Sequence, residues 1–467
     1  MFLKKASTYF VGTLSSKILS VLLVPIYAYY VSAEALGEYD YVLTISNIVM
    51  PIAFLSVWEA ILRYCMKENA AESQRRIVSS SIGFSVAVIA VLTLLCLGIN
   101  LFYSDKKFIL CLYIFVIVQG ITYIWQYSAR SLGESKQFVI SGVASSAVLI
   151  VSNIVNLAVL KLEYKGLVLS FVLSHIVTIL VLEYKIKLIP NFRISEVSLE
   201  IIKKLLKFSV PLVVNAISLW LYSGSSRIII RNYIGSYENG LYSFASKFSL
   251  VITLFSTVIS MAVIEEAYSY KTLEEYSVKL SALIEKVSKA YFSLVMLAVP
   301  AINILYTIAF KKTDYYKSAD YVFLLLLTAL FTALANNYGS AFQVTDKTKY
   351  ITFTTLLGAI SAIILSLILV RPIGIYGILI GGTVGPFLMM LSRAVYAKKA
   401  TGLKVNWGKN IIFAAIAGII SLSLTQVKNI FFQSGILAVL IIYLAIEYKN
   451  DIAIIYKKVF QRGDAVK

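Results

Sequence analysis

The chain has 467 residues, 59% of them hydrophobic and only 14% charged, with a mean hydropathy of +0.82 and a formal net charge of +19. Soluble domains hold about 45–50% apolar and about 25% charged residues, so a water-soluble globular fold is excluded. The apolar runs are about 20 residues long and nearly unbroken, which excludes barrel strands alternating over about 10 residues and calls for helices that satisfy their own backbone groups in lipid.

In chain order the runs predict spans at 9–31, 39–62, 79–101, 107–129, 138–160 and 167–184. After a polar stretch come 208–230, 240–262, 288–310, 320–342, 351–370 and 376–396, and then a last pair at 409–426 and 432–448. The expected fold is therefore an all-α polytopic membrane protein with about 14 transmembrane helices. If the N-terminus is inside, about 30 of the 43 Lys and Arg fall on cytoplasmic segments and about 11 on outward ones, so both termini are expected in the cytoplasm. The positive charge then reads as topology and attraction to the anionic inner leaflet, and nucleic acid is not an expected partner. Lys4 and Lys5 precede a run too long for a signal core, which reads as an uncleaved first helix. Cys65, Cys96 and Cys111 have no metal-ligand spacing and read as packing residues; no metal, cofactor or nucleotide-binding loop is expected.

Two stretches look like copies. "EALGEYDYVLTISNIV" resembles "YENGLYSFASKFSLVI", with Gly37 on Gly240 and Tyr39 on Tyr242. "GESKQFVISGVASSAVLI" resembles "VTDKTKYITFTTLLGAISAII", with Lys136 on Lys349. The expected organisation is a six-helix bundle at 1–190, an amphipathic cytoplasmic linker at 191–207, a second six-helix bundle at 208–400 related to the first by internal repeat, and two extra helices with a tail at 401–467. In the linker Ile201, Ile202, Leu205 and Leu206 form an apolar face suited to the inner leaflet, with Lys203, Lys204 and Lys207 toward lipid phosphates. A parallel duplication of this kind suggests a transporter with its substrate site between the halves.

Polar residues at helical spacing mark several faces. The first span carries Thr13, Lys17 and Ser20, the fourth Gln119, Thr122 and Gln126, and the tenth Thr332, Asn336 and Ser340. The seventh carries Asn215, Ser218, Tyr222 and Ser225, and the eighth a serine and threonine stripe beside Lys247. Some of these serve as packing seams; together they suggest a shared hydrated cavity. A lysine at a helix centre costs roughly 2.5–3.5 kcal/mol on insertion scales, so Lys17 and Lys247 are expected to face water or a partner. Glu59 and Arg63 lie four apart on one helix face, a spacing at which they can pair. Arg130 and Arg393 lie near cytoplasmic ends and are expected to snorkel, and the lone His175 reads as a hydrogen-bonded packing residue. The deeper charge is net positive, which favours an anion such as phosphate, and the polar stripes suit hydroxyl-rich sugars.

The runs "KILSVLLVPIYAYYVSAEALGEYDYVLTI", "WEAILRY", "GSYENGLYSFASKFSLV" and "KTKYITFTTLLGAISAIILSLILVRPIGIYGILIGG" resemble the polysaccharide-transporter branch of the multidrug/oligosaccharidyl-lipid/polysaccharide exporter superfamily, in order and over nearly the whole chain. The resemblance implies a flippase for O-antigen or capsule repeat units, moving an undecaprenyl-diphosphate-linked glycan across the bacterial plasma membrane without breaking a bond. The family's basic positions in helices 1, 2 and 8 map to Lys17, Arg63 and Lys247. Its acidic residue before "RIII" in helix 7 is Ser226 here, so that position offers no acidic coupling group.

On this reading Lys17, Lys247, Arg63 and Arg227 hold the diphosphate; Asn215, Tyr222, Gln119, Gln126 and Asn336 line the glycan cavity; and Glu59 and Asp40 are the candidates for ion coupling. No residue is catalytic. The expected partners are the lipid-linked glycan and membrane lipids, with a polysaccharide polymerase or glycosyltransferases as candidate protein partners. The rival readings are a lipid II flippase, a drug/cation antiporter of the same superfamily, which needs in-span carboxylates, and a membrane glycosyltransferase, which needs large outward loops.

The orientation has a direct check. In a chain with its three cysteines replaced by serine, Lys107→Cys reacts with an impermeant maleimide on intact cells. Lys136→Cys reacts only after permeabilisation.

Overall fold

The computed structural model describes residues 23–68, 70–270, 272–345, 347, 349–404, 416, 418–419 and 429–449. Among these the chain is helical, with no strand. Ten helices are long and apolar enough to cross a membrane, or twelve if each of two bent pairs makes one span. The expected second to twelfth spans and the fourteenth each coincide with one of these; the first and thirteenth fall mainly outside the described residues. The fold is an all-α polytopic membrane fold.

The helices are α1 (Ala33–Ala53), α2 (Val57–Cys65), α3 (Ala71–Phe102), α4 (Lys106–Ser131), α5 (Ser135–Asn153), α6 (Glu163–Ile186) and α7 (Leu199–Tyr233). There follow α8 (Ser236–Ser246), α9 (Leu250–Ser269), α10 (Ser281–Leu305), α11 (Ala319–Val344), α12 (Lys349–Ile373), α13 (Ile375–Thr401) and α14 (Ile430–Glu447). By contacts the described residues form two compact units. One runs up to Lys247 and adds Thr355–Gly385; the other takes Phe248–Thr354 and the residues from Pro386 on.

In the first unit α1 and α2 form an apolar pair bent by 54°. Pro51 lies inside α1 and cannot donate to the helix ladder, and Leu55 and Ser56 turn left-handed at φ 50° and 49°. The bend drives Phe54 into a core with Trp58, Ile61, Ile124 and Trp125. The linker is organised by two carboxylates. Glu183 accepts the Trp125 indole N–H at 2.9 Å and the backbone N–H groups of Leu188 and Ile189 at 3.1 and 2.9 Å. Glu196 holds Arg75 through two contacts of 2.6 and 2.9 Å. Of the apolar linker face, Leu205 is 1% exposed and belongs to the same core with Ile201 packed against it; Ile202 and Leu206 are half-buried, and Lys203, Lys204 and Lys207 are exposed. The linker helix is also not a separate element. Capped by Ser198, α7 runs from Leu199 through the seventh span and bends by 56° between Ser218 and Ser223.

The first turns of α1 and α8 cross at backbone contact. A Cβ on Gly37 would overlap the Ser236 carbonyl, and one on Gly240 would overlap the Ala33 carbonyl. In the register that sets Gly37 on Gly240, Ala33 falls on Ser236, so each copy meets the other through the same pair of positions. Asn239, fully buried, donates its Nδ2 to the Gly37 carbonyl at 2.7 Å and ties the crossing.

In the second unit Tyr291, Tyr306, Tyr315 and Tyr338 are all nearly fully buried. Arg393 departs from the sequence reading. It does not snorkel: it is 4% exposed, donating to Thr354 Oγ1 at 3.0 Å, to the Ala335 carbonyl at 3.1 Å, to Asn336 Oδ1 at 3.2 Å and to the Ile351 carbonyl at 3.4 Å. A guanidinium has five donors in a fixed fork, enough to stitch α11, α12 and α13 where hydrocarbon offers no acceptor. On α14, Glu447 pairs with Lys289 of α10, and Leu440 packs on Met296.

Substitution at the crossing should be costly. Gly240→Ala lowers the thermal midpoint and the yield of monodisperse protein, because backbone must move to admit the methyl group. Gly98→Ala, whose added Cβ meets nothing within 4 Å, leaves the midpoint unchanged or raises it through helix propensity, worth up to about 1 kcal/mol. Fluorescence-detected size-exclusion after heating distinguishes the two.

Candidate substrate-binding site

Three charged candidates come together beside the glycine crossing. Asp40 sits two turns into α1, Arg227 in the last part of α7, and Lys247 at the 3-10 turn joining α8 to α9. The Arg227 Nε donates to Asp40 Oδ2 at 2.6 Å, with the two side chains 23% and 14% exposed, and its Nη1 donates to the Ser223 carbonyl at 3.1 Å. Lys247 lies close enough to both to interact with them electrostatically. Each cation also has an aromatic face. Arg227 stands 5.6 Å from the Tyr242 ring centroid and Lys247 5.1 Å from that of Tyr27. Such contacts contribute about 0.5–2 kcal/mol, more where water is excluded.

The local folding follows from the sequence. A proline-bent α1 and a bent α7 are clamped by Trp220, whose indole N–H donates to the Thr44 carbonyl at 2.7 Å. Close approach of α8 at Gly37 and Gly240 then carries Tyr242 and Lys247 to the Asp40 face. The cluster holds two cations and one carboxylate, so it is one negative charge short of neutrality. An anion entering it would meet a guanidinium, an ammonium and phenolic rings.

Other candidates are placed elsewhere. Glu59 and Arg63 do not pair: Glu59 accepts from the Tyr127 hydroxyl at 2.9 Å, and exposed Arg63 lies 4.2 Å over the Phe208 ring, both on α2. Gln119 is 4% exposed and donates to Ser46 Oγ at 3.2 Å, a tie between α4 and α1. Gln126 is half-buried on α4 and Asn215 is exposed on α7. Asn336, in the second unit, accepts from Arg393. Lys17 lies outside the described residues, as does the side chain of Tyr222. His175 hydrogen-bonds Thr122 at 3.0 Å and stacks near Phe171, the packing role expected of it. Tyr27 and Tyr242 were not singled out by sequence. The one available signal was the alignment of Tyr242 with Tyr39, which says nothing of the cation above it.

The chain is similar in structure to lipid II flippase MurJ in an inward closed conformation, with TM-score 0.73 at 15% identity, covering 95% of this chain and 99% of that one. It is also similar to the inward-facing conformation of a multidrug resistance MATE family transporter of the MOP superfamily, with TM-score 0.63 at 16% identity, covering 83% and 96%. These identities establish a shared fold. In sequence, residues 2–264 match the polysaccharide biosynthesis protein family, and the chain belongs to that family. An uncharacterized membrane protein of Methanocaldococcus jannaschii is 27% identical over 173 residues, which cover 37% of this chain and 40% of that protein's length.

The ion pair can be weighed by a double-mutant cycle. Asp40→Ala and Arg227→Ala each destabilise the protein by leaving a partner unpaired in a low-dielectric setting, and the double variant loses less than their sum. SDS-titration unfolding should give a coupling of about 1–3 kcal/mol.

Proposed function

We propose that the protein is a flippase that carries undecaprenyl-diphosphate-linked oligosaccharide repeat units from the cytoplasmic to the outer face of the bacterial plasma membrane, for O-antigen or capsule assembly. The observation that carries the reading is the cluster of Arg227, Lys247 and Asp40 within the spans, one anion short of neutral. Membership of a polysaccharide biosynthesis family and a fold shared with a lipid II flippase support it. The diphosphate binds Lys247 and Arg227, with Lys17 as a further donor from the first span. Its charge competes with Asp40 for Arg227, and Asp40, with Glu59 on α2, is the candidate for ion coupling. The prenyl tail stays in lipid, and the halves rock to alternate access. No bond is broken: the barrier falls because donors and water replace hydrocarbon around a charge that hydrocarbon cannot solvate.

The likeness to a lipid II flippase favours a second reading, transport of lipid II itself. A drug/cation antiporter fits less well, because the cluster would repel its cargo.

In a strain lacking its own repeat-unit flippase, Lys247→Ala is expected to cut surface polysaccharide at least tenfold, and Lys247→Arg to retain most of it. Lys17→Ala follows Lys247→Ala. Full activity in both alanine variants at normal expression removes the anion-binding reading. Rescue of a strain depleted of its lipid II flippase identifies the second reading.

A further inference from the structure

A separate pocket of about 200 Å³ opens in the first unit, where α1, α4 and α6 begin and α7 ends. All four helix ends belong to the side that the loop charges assign to the outside. The pocket shares no lining residue with the Asp40–Arg227–Lys247 cluster.

Four of its ten lining residues are aromatic. Tyr41 and Phe108 lie with ring centroids 5.6 Å apart, Tyr164 is 8% exposed, and Tyr103 stands half-exposed at the mouth. Its polar groups come in opposite signs: Glu38 and Asp105 against Lys107 and Arg231. Their charges cancel, so neither a bare anion nor a bare cation is favoured. What remains is a set of carboxylate acceptors and cationic donors set among ring faces. Vicinal hydroxyls match that set, and the C–H face of a pyranose matches the rings.

The polar groups are available at little cost. The Glu38–Lys107 pair is long, 3.7 Å, with side chains 38% and 59% exposed, a class worth about 0–1 kcal/mol. Lys107 rests 4.0 Å over the Tyr164 ring, and Arg231 5.7 Å from the Tyr41 ring. Arg231 also lines the pocket, and its buried Nε has no hydrogen-bond partner among the described residues. At about 200 Å³ the pocket is smaller than the roughly 300–1,000 Å³ of sites for drug-sized ligands, a size that suits a single sugar ring.

We infer that this outer-end pocket binds a single neutral sugar ring, one residue of the carried glycan as it emerges. The inference rests on the flippase reading for its biological meaning, but the binding stands or falls alone. Glu38 and Arg231 take the ring hydroxyls, Tyr103 and Tyr41 cover its apolar face, and the lipid diphosphate remains with the deeper cluster.

The test uses the full chain in nanodiscs and saturation-transfer NMR with methyl α-glucoside, methyl α-galactoside, methyl α-mannoside and rhamnose, with glucuronate and inorganic phosphate as charged comparisons. At least one neutral glycoside is expected to show transfer above empty nanodiscs. Tyr103→Ala and Glu38→Gln reduce it at least fivefold while keeping wild-type gel-filtration profiles and thermal midpoints, and Lys247→Ala leaves it unchanged. No neutral glycoside signal, equal signal in both pocket variants, or stronger transfer to glucuronate overturns the inference. Polysaccharide export in Lys247→Ala is scored separately, so a failed pocket and a failed flippase reading give different patterns.

Discussion

Charge in a low-dielectric setting has to be paired, and the first unit is arranged around one such obligation. Arg227 is held by Asp40, braced by the Ser223 carbonyl and set against Tyr242. Lys247 joins the same field with Tyr27 beneath it. Leaving any of these groups unmatched in hydrocarbon would cost more than most single packing contacts return. The helices that deliver them are therefore constrained to meet: α1 from one copy of the repeat, α7 and α8 from the other.

That meeting depends on glycine. The crossing of Gly37 with Ser236 and of Gly240 with Ala33 brings two backbones to a separation no side chain permits, and Asn239 seals it with a bond to the Gly37 carbonyl. The likeness between the two stretches thus has a physical use: each supplies a glycine at the matching position of the crossing. Arg393 shows another answer to the same obligation. There a guanidinium is buried among neutral oxygens of three helices, and its fork of donors becomes a structural pin.

The aromatic residues mediate between these regimes. Tyrosine and tryptophan present an apolar body and a polar tip, so Trp220 can clamp the bend of α7 onto the Thr44 carbonyl while its ring stays in the protein. The pocket where α1, α4 and α6 begin uses the same chemistry, with four rings in its lining beside charges that cancel.

Sequence alone determined that the chain crosses the membrane many times as helices, where most of those helices lie, and that two stretches resemble each other. Each of these follows from local properties: the length of an apolar run, its composition, and the spacing of glycine and tyrosine. It also marked Lys247 as a charge in a costly place and named Arg227 and Asp40 as candidates for diphosphate binding and ion coupling. Only the tertiary structure decided their company. Glu59 turned to Tyr127 and not to its neighbour Arg63, Leu205 turned to the core and not to lipid, and Arg393 was drawn inward by carbonyls from other helices. Partner choice among groups far apart in the chain depends on crossing distances of an ångström or two. Periodicity and composition carry no information about those distances.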